Sequence, residues 1–168
     1  MIQINTEVLE MFIYYWQATA EKEKVSDLYL WELATRPEMV PLFGKGFGKD
    51  SIRKVLSSIT NREILSEKTQ EEGRFWNNNM WMLEDLDLTM AMLAPVKKLS
   101  GSEFADFDSG DFTITFIPGH LEPYYLEKDQ LFINFFKLSL NLETGDVGVD
   151  GMELKAFINQ ILKSRGQK

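Results

Sequence analysis

A run of mostly apolar residues, Leu131-Phe132-Ile133-Asn134-Phe135-Phe136-Lys137-Leu138-Ser139-Leu140-Asn141-Leu142, sets the tightest limit on how this chain can fold. Side chains alternate between faces along a strand. One face of the run carries Phe132, Phe136, Leu138, Leu140 and Leu142, broken only by Asn134. The other carries Leu131, Ile133 and Phe135, then turns polar at Lys137, Ser139 and Asn141. The first half is apolar on both faces, which requires a central strand paired on both edges and covered by other layers.

Further strands are expected around it. Phe112, Ile114 and Phe116 alternate with Thr113 and Thr115, predicting a strand over Asp111–Ile117 that Pro118-Gly119 ends. Tyr124-Tyr125-Leu126 and the central run are separated by Glu127-Lys128-Asp129-Gln130, a hairpin loop. Glu143-Thr144-Gly145-Asp146 makes a second turn into a short strand at Val147–Val149. Leu86, Leu88, Met90 and Met92 alternate with Asp87, Thr89 and Ala91. That periodicity predicts a strand over Asp85–Leu93, against the helix preference of Met, Leu and Ala. Pro95 ends it. Before it, Arg74–Met82 with three consecutive asparagines reads as a turn or helix start, and Thr60–Gly73 as a helical turn followed by an exposed loop.

Helices are expected at both ends. From Thr6 to Glu21, the residues Glu7, Glu10, Tyr14, Gln17 and Glu21 form one narrow polar stripe, and nearly everything else is apolar. A helix wet on so thin a stripe is packed on several sides or joins a homo-oligomer through residues 6–21. Ser26 caps a second helix, Asp27–Thr35, and Pro37 and Pro41 then allow only a short helical turn. Ile52, Val55, Leu56 and Ile59 share one face of a third helix, capped by Asp50 or Ser51. Asp150 and Glu153 have capping-box spacing for a last helix, whose stripe is Leu154, Phe157, Ile158, Ile161 and Leu162.

Composition narrows the function. With 12 Phe, 5 Tyr and 4 Trp the core is ample, and the absence of cysteine excludes disulfides, thiolate ligands and a cysteine nucleophile. The N-terminus lacks signal-peptide character, and apolar runs fall well short of the roughly 18 residues of a membrane span, so a soluble, cytoplasmic protein is expected. Lys and Arg number 18 against 26 Asp and Glu, a net charge of −8. From Ser100 to Glu153 eleven acids face only Lys128 and Lys137. Such a surface repels phosphate backbones and attracts basic proteins. Glu103, Asp106, Asp108 and Asp111 are the expected contact residues.

Two motifs fall short of their templates. Gly44-Lys45-Gly46-Phe47-Gly48-Lys49-Asp50-Ser51 has the parts of an anion cradle, in Gly46, Gly48, Lys49 and Ser51, because glycines turn backbone N–H groups inward ahead of a helix. Gly44 stands too near Gly48 for a P-loop, and no strand precedes it. Asp106, Asp108 and Asp111 start like a calcium loop, but Gly110 stands where an oxygen ligand belongs and Asp111 where glycine does. A solvated acidic turn and no metal are expected. The lone His120 follows Pro118-Gly119, where surface or cap placement is expected. No nucleophile–base set and no cofactor motif stand out.

The expected architecture is α+β: N-terminal helices, then an antiparallel sheet of about four or five strands with helices gathered on one face, then a C-terminal helix packed on the sheet. It forms one domain over residues 1–168, helical at about 5–65, with the sheet and final helix at about 84–164. The expected function is a small acidic, non-enzymatic binding or inhibitor module contacting a basic protein, without nucleic acid or membrane. The alternative is a small-molecule-binding protein or enzyme using the Gly44–Ser51 loop or an aromatic pocket.

Overall fold

The computed structural model describes residues 1–104 and 110–166. In chain order the elements are β1 (Ile2–Asn5), α1 (Glu7–Ala20), α2 (Asp27–Ala34), a 3-10 turn (Pro37–Leu42), α3 (Lys49–Thr60), α4 (Gln70–Glu84) and α5 (Leu86–Lys97). A 3-10 turn (Gly101–Glu103), β2 (Phe112–Ile117), β3 (Tyr124–Leu126), β4 (Gln130–Asn134) and a third 3-10 turn (Phe135–Lys137) follow. The chain ends with β5 (Ser139–Leu140), β6 (Val147–Val149), β7 (Met152–Glu153) and α6 (Leu154–Gly166).

Where local chemistry decides, the elements match expectation. The Ser26 hydroxyl accepts the Tyr29 N–H at 3.2 Å and starts α2. The α3 stripe Ile52, Val55, Leu56 and Ile59 is buried, as are Leu154, Ile158, Ile161 and Leu162 of α6. On α1 the five expected polar positions are exposed, and Val8, Leu9, Phe12, Ile13, Tyr15, Trp16 and Ala18 are buried within the chain. Trp16 donates its indole N–H to Asn79 Oδ1 at 2.9 Å and stacks on Phe135 at 6.2 Å. The apolar side of α1 is thus buried within the chain, with Trp16 meeting α4 and the 3-10 turn after β4.

The sheet corrects the expected antiparallel topology. Its strand order is β1-β2-β4-β3, with β1, β2 and β4 parallel and only β3 antiparallel to β4. A separate antiparallel sheet holds β5, β6 and β7. Parallel neighbours need a long crossover, and α1 to α5 supply it between β1 and β2. After β2 the chain crosses to the far edge, makes β3, and returns by the expected hairpin to place β4 beside β2. The strand Ile2–Asn5 lies outside the sequence expectations, since four residues carry little alternation and their partner follows five helices. The backbone of the Gly101–Glu103 turn closes its outer edge: a Cβ on Gly101 would stand 1.6 Å from the Ile2 carbonyl oxygen.

The strand expected over Asp85–Leu93 is helix α5, with Pro95 inside it rather than at its end. Its buried residues are Thr89, Met92, Leu93 and Val96, an i, i+3, i+4, i+7 set. The helical stripe is hidden in the sequence because Thr89 counts as polar; its hydroxyl is satisfied by the Met82 carbonyl at 2.8 Å. The asparagine run lies within α4, where Asn79 is fully buried between Trp16 and the Phe75 carbonyl. That helix begins at a capping box in which Thr69 and Glu72 serve each other's backbone N–H.

The central run is a two-face-buried strand only through Asn134. It then turns through Phe135–Lys137 and contributes Ser139–Leu140 to the second sheet, leaving Leu142 85% exposed. The expected capping box at Asp150 and Glu153 is also corrected. Asp150 and Gly151 have φ of 51° and 81°, the paired left-handed geometry of a tight hairpin between β6 and β7, and α6 starts at Leu154. Helix α6 lies on the sheet face carrying Tyr124 and Phe112, with Phe157 5.7 Å from Tyr124 and the Arg165 guanidinium 4.3 Å from the Phe112 ring. The Pro37–Leu42 turn and the start of α1 border the opposite face, so the helices are not gathered on one side. Among the described residues no helix is long and apolar enough to cross a membrane.

Ile133→Ala should cost about 2–5 kcal/mol because it opens a cavity at the sheet centre. Leu142→Asp should stay within about 0.5 kcal/mol. Urea unfolding of both variants checks this, and an equal loss at both positions would contradict the strand's end at Asn134.

Candidate functional site

Strand alternation builds the floor of a wide cleft. Gln3, Thr113 and Gln130 stand opposite one another across β1, β2 and β4, and Asn5, Thr115 and Phe132 form the next row. Strand ends supply one rim, with Asp111 ahead of β2, Glu127 after β3 and Asp129 ahead of β4. The first turn of α1 supplies Glu7 and Glu10, and the Pro37–Leu42 turn supplies Glu38. The cleft measures about 880 Å³, and its lining holds six carboxylates and no lysine or arginine.

Cations at its border neutralise only part of this charge. Arg36 Nη2 stands 2.6 Å from Glu38 and 3.2 Å from Glu7. The hydrogen bond to Glu38 leads in raising the guanidinium above its ordinary value. Lys97 reaches Glu10 at 2.8 Å. Asp111, Glu127 and Asp129 are exposed and have no ion-pair partner among the described residues. On the same strand face as Thr113, Thr115 is fully buried and its hydroxyl has no hydrogen-bond partner. Among the described residues no three carboxylates or imidazoles converge closely enough to hold a metal ion. The arrangement sets carboxylates around a floor of amides and hydroxyls, groups that can both donate and accept hydrogen bonds.

Of the described residues expected from the sequence, only Asp111 lines this cleft. Glu103 lies on the Gly101–Glu103 turn, where Lys155 and the Ser100 N–H hold its carboxyl below the ordinary range. Asp106 and Asp108 lie outside the described residues. Sequence reasoning missed Glu7, Glu10, Glu38, Glu127 and Asp129. Two of these were visible only as a helix stripe and two as a hairpin loop, and nothing local joins them.

The Gly44–Ser51 segment is a tight turn closed by Gly44 and Phe47, each donating its N–H to the other's carbonyl at 2.9 and 3.2 Å. Gly46 takes the left-handed conformation at φ 89°. The Gly48 N–H is accepted by Ser51 Oγ at 3.0 Å, so Gly48 precedes α3 and Ser51, expected as a cap, lies in its first turn. Lys49 is exposed. Carboxylates crowd the loop: a Cβ on Gly46 would stand 2.8 Å from a Glu71 oxygen, and Glu72 receives Lys54 at 3.2 Å. These three N–H groups are therefore spent within the turn. His120 is half-buried, with Nε2 3.1 Å from the Leu42 carbonyl and its ring 4.9 Å from Phe47.

Comparison with protein-family models, with curated proteins and with solved structures gave no match.

Burial pushes the Glu72 carboxyl up, but hydrogen bonds from the Thr69 N–H, Ser51 and Lys54 outweigh it and hold the group below its ordinary range. Its contribution to stability is therefore present above the ordinary carboxylate pKa of roughly 4.3 and is lost as pH falls through the lower native value. Glu72→Gln should cost about 1–2 kcal/mol near neutrality. Melting curves from pH 7 to 3 should show that difference shrinking below about pH 4. A constant difference across that range would contradict the assignment.

Proposed function

We propose that this protein is a non-enzymatic binding module that receives a cationic, extended segment of a partner protein in the acidic cleft. The observation carrying this reading is that Asp111, Glu127 and Asp129 share one cleft with Glu7, Glu10 and Glu38 yet form no ion pair among the described residues. An unneutralised carboxylate cluster is costly for the folded chain by self-repulsion, and a lysine- or arginine-bearing partner relieves that cost. The in-register row Gln3, Thr113 and Gln130 supports an extended segment, because amides and a hydroxyl can both donate to and accept from a passing backbone. Rim charges of this kind steer encounter and set specificity more than they set final affinity.

Binding of a decalysine peptide, measured by surface plasmon resonance at two ionic strengths, tests the reading. The combined variant Asp111→Lys, Glu127→Lys, Asp129→Lys should bind at least ~10-fold more weakly at low salt, with the loss in the association rate and shrinking as salt rises. A charge-matched control, Glu21→Lys, Glu67→Lys, Glu143→Lys, changes exposed acids away from the cleft and should bind within about threefold of the unaltered protein. Equal losses in the two variants would reduce the effect to net charge and overturn the proposal.

A further inference from the structure

Helix α5 is apolar nearly all round. Of its 12 residues only Asp87, Thr89 and Lys97 are polar, and Thr89 is buried with Met92, Leu93 and Val96. A helix of that composition is normally covered on every side. Here the chain covers one side only, and Leu88 and Met90 remain 39% and 40% exposed. Ala91 and Ala94 are exposed as well, and Pro95 is half-buried. With about 3.6 residues per turn, the line opposite the buried stripe runs through Asp87, Ala91, Ala94 and Lys98. All four are exposed. Lys98, the C-cap, keeps helical backbone angles of φ −83° and ψ −11°, so it continues the line. None of these residues lines the acidic cleft.

The spacing i, i+4, i+7, i+11 is the alternating step of a helix–helix seam. Its charges are placed so that the line fits a copy of itself. Asp87 marks the acidic end, preceded by the exposed Glu84 and Asp85, and Lys98 marks the basic end. Neither Asp87 nor Lys98 forms an ion pair among the described residues. In an antiparallel pair with its two-fold axis between Ala91 and Ala94, Asp87 of each copy meets Lys98 of the other. Ala91 then meets Ala94, and a single symmetry operator makes both charge pairs. Short side chains at the centre let the two backbones approach closely, and Leu88, Met90 and Pro95 flank the seam. A partner carrying one sign of charge would match one end of the line and be opposed at the other. We infer that α5 is a self-association face, on which a second copy of this chain docks antiparallel as a two-fold dimer. A helix of 12 residues is about 18 Å long, so the contact falls below the ~1,200 Å² of standard interfaces and gives a weak, concentration-dependent dimer.

Sedimentation velocity of the full chain, from about 10 µM to about 1 mM, reads the dimer as a rise toward twice the chain mass. Asp87→Lys alone, or Lys98→Asp alone, sets two like-charge pairs across the axis and should weaken the dimer at least ~10-fold. Asp87→Lys moves the net charge from −8 toward neutrality, so general repulsion between copies cannot account for its loss. The double variant Asp87→Lys, Lys98→Asp restores opposite charges and should dimerise within about threefold of the unaltered protein. It also opposes the helix dipole at both ends, so a loss caused by fraying of α5 would deepen in it rather than recover. A chain that stays monomeric at about 1 mM would overturn the proposal. Single variants that dimerise like the unaltered protein would also overturn it, as would a double variant no tighter than the singles.

Discussion

The carboxamide of Asn134 sits fully buried at the end of β4 and joins the β2–β3 connection to the turn that follows the strand. Its oxygen accepts the N–H groups of Gly119 and Phe136, both at 3.0 Å, and its nitrogen donates to the Glu122 carbonyl at 3.1 Å. These bonds pin the β2–β3 connection against the end of the strand and turn the following residues out of the sheet. A buried amide left without these partners would cost about 1–3 kcal/mol per orphaned group, so the arrangement holds as a unit. Gly119 has to be glycine here, because a Cβ would stand 2.8 Å from the Asn134 nitrogen. Asn78 of α4 then reaches the Gly119 and His120 carbonyls at 3.3 and 3.4 Å, tying the helical layer to the same corner.

From that corner the helical layer is organised by α1. Trp16 is its largest fully buried side chain, touching Phe12, Phe135 and Phe136 and donating to Asn79. Phe12 and Phe136 each contact Phe75, so α1, α4 and the turn after β4 share one aromatic cluster. Aromatic pairs of this geometry add roughly 0.5–1.5 kcal/mol beyond their burial. Two asparagines from different elements thus satisfy the polar demands of an otherwise apolar centre, and each lies at a place where the chain must change direction or meet another layer.

The acidic cleft is a by-product of the parallel strand order. Because β1, β2 and β4 run the same way, the acids ahead of β2 and β4 fall at one end of the sheet, and the turn after β3 adds Glu127 there. An antiparallel arrangement would have sent them to opposite ends. Arg36 and Lys97 hold the carboxylates on the helical side in ion pairs, whereas Asp111, Glu127 and Asp129 form none among the described residues.

The sequence by itself determined the features that depend on neighbours a few residues apart. The Ser26 cap, the α1, α3 and α6 stripes, both expected hairpin turns and the two-sided burial of Leu131–Ile133 all follow from periods of two or 3.6 and from turn chemistry. Tertiary structure alone decided the rest, for the reason that the relevant partners are far apart in the chain. Ile2–Asn5 becomes a strand only because β2 accepts it. Asn77–Asn79 stays helical because Trp16 and the Gly119–His120 backbone satisfy two of its amides. The alternating Leu86–Met92 segment is a helix because Thr89 finds a carbonyl in α4 and joins the buried stripe. The cleft draws its acids from α1, the Pro37–Leu42 turn and three strand ends, so no window of sequence contains it.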